Sequence, residues 1–136
     1  APESVELAIL HKRAGQWEDA HQVFASVEAE LRNDARGLHE YAQTKVKLAS
    51  KLPKTMGLKR DRLNREAAEM LRQVVRLNDS PTRTAWAWFD LAKTLESLRA
   101  PASEIEQACV KAIELLPTEQ RFQDWRAFRN ADPGHE

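Results

Sequence analysis

The sequence predicts an all-α domain built from repeated helix–turn–helix units. Apolar residues recur at helical spacing along most of the chain, with no strand-like alternation. Glycine and proline fall almost entirely between the helical stretches, as their backbone chemistry requires. A pair of one large and one small residue recurs as Leu7-Ala8, Tyr41-Ala42 and Leu91-Ala92. Its first step is 34 residues, the period of a helix–turn–helix solenoid.

Taken in order, residues 5–14 carry Val5, Ala8 and Ile9 on one helical face, with Leu7 and Leu10 one face over, and Gly15 ends the run. Residues 18–31 place Ala20, Val23, Phe24, Val27 and Leu31 on one stripe. Residues 37–50 keep Leu38, Tyr41, Ala42, Lys45 and Leu48 in register until Pro53 and Gly57. A fourth helix, 64–78, is expected to open on Asn64 as its cap and to end at Asp79-Ser80-Pro81. A fifth spans 84–99 and a sixth 103–116, the latter opening on the capping-box pattern Ser103 to Glu106 and closing at Pro117. Thr118 is the expected cap of a seventh helix, 119–130, with Phe122, Trp125 and Phe128 on one side. The tail, 131–136, contains Pro133-Gly134 and is expected to fray.

Superposed, the three helix pairs share more than the large–small pair. The first reads Leu7-Ala8, His11, Gly15, Ala20, Phe24, Val27; the second Tyr41-Ala42, Lys45, Ala67, Leu71, Val74; the third Trp88, Leu91-Ala92, Leu95, Ile105, Cys109, Ala112, Pro117. Together with the stretches Gly15 to Phe24 and Ala112 to Pro117, this pattern resembles the tetratricopeptide repeat (TPR) family over residues 4–117. The resemblance implies a right-handed superhelical α-α solenoid of about three TPR-like helix pairs plus a C-terminal capping helix. The single domain would then span 1–130, with repeats at 4–33, 35–80 and 84–117 and the capping helix at 118–130. Small residues at the A–B crossings allow close approach, and the large ones fill the ridges between repeats.

Departures from the pattern are informative. Arg32 stands where a proline is usual, and Ile105 replaces an alanine, which predicts a slightly splayed third pair. Tyr41 to Leu91 is 50 residues, 16 more than the period, and about 13 of these lie between the two helices of the second repeat. That insertion, residues 50–64, falls in the most basic part of the chain. Residues 45–65 hold eight bases against the single acid Asp61, while the whole chain balances 21 Lys and Arg against 21 Asp and Glu. A basic patch of Lys51, Lys54, Lys59, Arg60, Arg62 and Arg65 follows. It could serve nucleic acid or another polyanion, or it could be a solvated helix extension. No aromatic residue lies within it to stack a base.

The resemblance also implies a concave groove lined by the first helix of each repeat. Carried over by position, its lining is Val5, Ile9, Lys12 and Arg13, then Arg36, His39, Gln43, Val46 and Lys47, then Trp86, Phe89, Lys93 and Glu96. This mixture suits a peptide with an apolar anchor and an acid. One subclass of the family clamps the C-terminal carboxylate of chaperones with Lys, Asn and Arg. The matching positions here are Val5, Ile9, His39 or Glu40, Trp86 and Asp90, which do not supply that clamp. Trp88 is expected in the core; Trp86, on the opposite side of the same helix, is expected to face the groove.

The expected function is non-catalytic binding of a protein or peptide partner. The alternatives are polyanion binding through 45–65, or a regulatory piece of a larger enzyme. No phosphate loop, nucleophile elbow or metalloprotease motif occurs, so no enzyme and no cofactor are expected. His11, His21, His39 and His135 lack metal-ligand spacing, and Cys109, the one thiol, sits at a core position of the repeat. The single cysteine fits a reducing, cytoplasmic setting, and the Arg- and Ala-rich composition points to a bacterial source. No apolar run of about 18 residues occurs, so no membrane partner is expected. Oligomeric state is left open.

Overall fold

The computed structural model describes residues 2–131. Among them all regular structure is helical, with no strand. The elements run α1 (Pro2–Arg13), α2 (Trp17–Ser26), a 3-10 segment (Glu28–Asn33), α3 (Ala35–Lys51), a second 3-10 turn (Lys54–Met56), α4 (Gly57–Leu77), α5 (Pro81–Ser97), α6 (Ala102–Leu115) and α7 (Gln120–Ala131). Each helix packs mainly on its sequence neighbours. In addition α1 touches α3, and α3 touches α5.

Local chemistry explains the joints. The α1–α2 turn is a Schellman motif: Gly15 at φ 76° bonds Lys12 O at 3.0 Å, and Gln16 N–H reaches His11 O at 2.9 Å. The α5–α6 turn repeats it with Arg99 at φ 59°, where Arg99 N–H meets Glu96 O and Ala100 N–H meets Leu95 O. Asp34 caps α3 by accepting from Gly37 N–H at 2.9 Å. Ser80 caps α5 by accepting from Arg83 N–H at 3.1 Å, with Pro81 in the first turn.

The helix pairs close on small residues. Ala8 and Ala20, Ala42 and Ala67, and Ala92 are all fully buried. Ile105 is buried too, and α5 and α6 pack extensively on each other. Tyr41 stacks on Phe24 at 5.1 Å between centroids and donates its hydroxyl to Glu28 at 2.9 Å. Burial and that bond push the Tyr41 phenol well above its ordinary pKa. Leu91 is buried like Tyr41, but Leu7 is 47% exposed. The α1 face bearing Leu7 and Leu10 stays largely open, so the large residue of the pair is buried in two of three places.

Several expected boundaries move. The second helix ends at Ser26, and the 3-10 segment buries Leu31 instead. The fourth begins at Gly57, because Gly57 adopts an ordinary helical φ of −58°. Asn64 therefore lies inside α4, buried, and caps nothing. The 50–64 insertion is thus a prolongation of α3 and α4 joined by one 3-10 turn. Ser103 and Glu106 form no capping box; α6 follows Pro101 without a side-chain cap, and Glu106 pairs with Arg126 of α7. At α7 it is Glu119, not Thr118, that accepts from a first-turn N–H, that of Arg121 at 3.3 Å. Of the tail expected to fray, residues 132–136 lie outside the described residues.

Candidate functional site

Helical spacing puts Glu40, Gln43 and Lys47 on one face of α3, and Asp90, Lys93, Thr94 and Ser97 on one face of α5. Where these faces meet the end of α1, a cleft of about 380 Å³ forms. Lys12 and Trp17 make one wall, Gln43, Val46, Lys47 and Ser50 the second, and Asp90, Lys93, Thr94 and Ser97 the third, with Leu71 of α4 beneath.

A continuous polar chain crosses this cleft. Lys12 Nζ donates to Glu40 Oε2 and to Gln43 Oε1, each at 2.8 Å. Gln43 Nε2 donates onward to Asp90 Oδ2 at 3.0 Å. The same oxygen lies 2.7 Å from His39 Nε2, whose side chain is only 8% exposed. Three helices are thereby tied by side chains whose hydrogen bonds are largely spent on each other.

The rim is different. Lys47 is exposed, with its ammonium 5.7 Å from the Trp17 ring centre. Lys93 is exposed over the Phe89 ring at 4.7 Å, and its nearest carboxylate, Asp90, is 3.9 Å away. Ser50, Thr94 and Ser97 donate their hydroxyls to backbone carbonyls, which leaves their oxygens as acceptors toward the cleft.

The expected groove residues therefore separate. Lys12, Gln43, Val46, Lys47 and Lys93 line the cleft, and His39 supports it from beneath. Val5 and Ile9 do not: both are buried in the main core, because apolar groups on the inner face of α1 find helix neighbours. Arg13 is exposed at the end of α1, outside the cleft lining, and Arg36 pairs with Glu6. Trp86 and Phe89 lie under α7. Trp86 meets the Phe122 ring at 4.8 Å and the Arg121 guanidinium at 4.6 Å, while Phe89 packs on Phe122 and Trp125. Glu96 binds Arg129 of α7 at 2.7 Å. Residues of the lining outside the expected groove set are Trp17, Ser50, Leu71, Asp90, Thr94 and Ser97. The polar spacing of Asp90, Thr94 and Ser97 beside Lys93 was the available signal for the three missed positions on α5.

The seventh helix packs onto the bundle through Phe122, fully buried, and half-buried Trp125; Phe128 remains 59% exposed. Cys109 donates its thiol toward Phe122 O at 3.8 Å, and burial, with the Glu106 charge, raises its pKa.

Of the basic segment, Lys45 belongs to the interior. It is 4% exposed and is held by Glu66 at 3.0 Å, by His21 at 3.2 Å and over the Tyr41 ring at 4.7 Å. Lys51, Lys54, Lys59, Arg62 and Arg65 are exposed, and no ion pair engages them among the described residues. Arg60 is half-buried, and its Nε has no partner among the described residues.

A larger, more apolar cavity of about 670 Å³ lies between α4, α5 and α6. Trp88, Leu91 and Leu95 form its floor, and the Arg72–Glu104 pair at 3.4 Å crosses its rim. Half-buried Trp88 is thus at a cavity surface and also packs against the core. Among the described residues no group of three or more His, Cys, Asp or Glu could hold a metal ion. No helix is long and apolar enough to cross a membrane. No model of a known family matches the chain, and no curated protein matches it.

Proposed function

We propose that the chain is a non-catalytic protein–protein interaction module, a right-handed superhelix of three TPR-like helix pairs closed by α7. It seats an acidic peptide segment of a protein partner in the cleft between α1, α3 and α5. The 34-residue recurrence and the buried alanines at the helix crossings support the repeat reading.

One observation carries the functional reading. The floor of the cleft is already satisfied by its own polar chain, whereas Lys47 and Lys93 present exposed ammoniums on opposite walls. A rigid floor lowers the ordering cost of binding, and two rim cations favour a carboxylate placed between them. Trp17 and Val46 supply apolar surface beside them for a neighbouring side chain.

An array of peptides differing in acid placement, probed with the wild-type chain and with a Lys47→Glu/Lys93→Glu double variant, tests the proposal. Acidic peptides should bind the wild type, and the double variant should lose about tenfold or more in affinity. Equal binding by both proteins would refute the reading.

A further inference from the structure

The α3–α4 turn is separate from the cleft. Between Ala49 and Leu63 no residue is buried, so the end of α3, the 3-10 turn and the first turns of α4 stand clear of the core. Lys51, Lys54, Lys59 and Arg62 are exposed there and in no ion pair among the described residues. The excursion also carries the most exposed large apolar side chain, Leu58, at 88%, with Met56 at 39% beside it.

The placement of these cations is electrostatically unusual. The first turn of α4 has no acid, and Met56 offers no side-chain cap. The positive end of a 21-residue helix dipole therefore lies among lysines and arginines. The only acid in the segment is Asp61. An external anionic surface would relieve both repulsions at once.

We infer that this hairpin tip docks on the surface of an anionic membrane. Lys51, Lys54, Lys59 and Arg62 meet the lipid phosphates and carboxylates, and Leu58 and Met56 enter the interfacial layer. A bilayer surface offers negative charge and, just below it, an apolar medium, which is the pairing the tip presents. Nucleic acid fits less well. No aromatic side chain lies in 45–65 to stack on a base, and a sugar–phosphate backbone gives Leu58 nothing to enter. A folded acidic protein would need a pocket to receive the protruding Leu58, whereas a fluid interface needs none. That no helix can cross a bilayer has no bearing on docking at its surface.

Vesicle sedimentation with the full chain tests this. The probes are phosphatidylcholine vesicles with and without phosphatidylserine, with a DNA duplex as a parallel ligand. Binding should require phosphatidylserine and weaken as salt rises. Leu58→Glu and, separately, Lys59→Glu/Arg62→Glu should each lower the partition coefficient about tenfold or more, with unchanged helical circular dichroism. Three results would overturn the inference: equal partition onto both vesicle types, wild-type partition by Leu58→Glu, or tighter binding to the DNA duplex that ignores Leu58→Glu.

Discussion

Asp90 Oδ2 lies 2.7 Å from His39 Nε2 and also accepts from Gln43, so one carboxylate oxygen of α5 holds two side chains of α3. Asp90 and His39 expose 15% and 8% of their side chains, so neither is freely solvated. Asp90→Ala leaves two donors without their acceptor and should lower stability by about 1–3 kcal/mol. Asp90→Asn keeps an acceptor oxygen and should lose less. Urea unfolding orders the three proteins; wild-type stability in Asp90→Ala would show that the link is idle.

The two Schellman turns give opposite predictions. Arg99 holds φ 59° with a side chain that disfavours this region, so Arg99→Gly should stabilise by about 0.5–1 kcal/mol. At Gly15, φ is 76° and an added Cβ would meet nothing within 4 Å. Gly15→Ala should thus destabilise by about 1 kcal/mol through the backbone alone. Urea midpoints at constant slope check both signs.

Phe122 anchors α7. It is fully buried against Phe89 and Trp86, so Phe122→Ala should cost about 3–5 kcal/mol if the chain unfolds as one unit. Should α7 detach locally, amide exchange in 120–131 should accelerate while α1 to α4 stay protected. Unchanged midpoint and unchanged exchange together would contradict the packing described.

His21 makes stability depend on pH. Burial first, and then the Lys45 charge, hold its imidazole pKa below the ordinary 6.5. The unfolded chain then binds the proton more readily, so this contribution is complete above 6.5 and shrinks as pH falls toward the lower folded value. His21→Gln keeps an acceptor for Lys45 and cannot titrate. The stability difference between wild type and variant should move against the wild type on acidification below 6.5; a difference independent of pH would contradict the assignment.

The sequence disclosed helices wherever a long apolar stripe existed, and it disclosed the alanine crossings because only small residues fit there. Local signals misled where a longer-range contact decided. Gly57 looks like a break, yet α4 begins there at an ordinary helical φ, and Asn64, which looks like a cap, lies buried within that helix. Trp86 does point away from Trp88, as helical spacing requires, but α7 arrives to cover it. Val5 and Ile9 match groove positions by count, yet burial claims apolar side chains first. Of the expected groove residues, Lys12, Gln43, Val46, Lys47 and Lys93 line the cleft, and the four long polar ones among them have a chemistry that keeps them at a surface.

In the proposed function, the cleft between α1, α3 and α5 is the recognition surface. The most direct measurement is a nuclear magnetic resonance titration with an acidic peptide selected on the array, following the indole N–H signals of Trp17, Trp86, Trp88 and Trp125. A saturable shift of Trp17 is expected, abolished by Lys47→Glu/Lys93→Glu, with Trp88 unmoved. A saturable shift at Trp88 with Trp17 silent would place recognition in the α4–α6 cavity and refute binding in the α1–α3–α5 cleft.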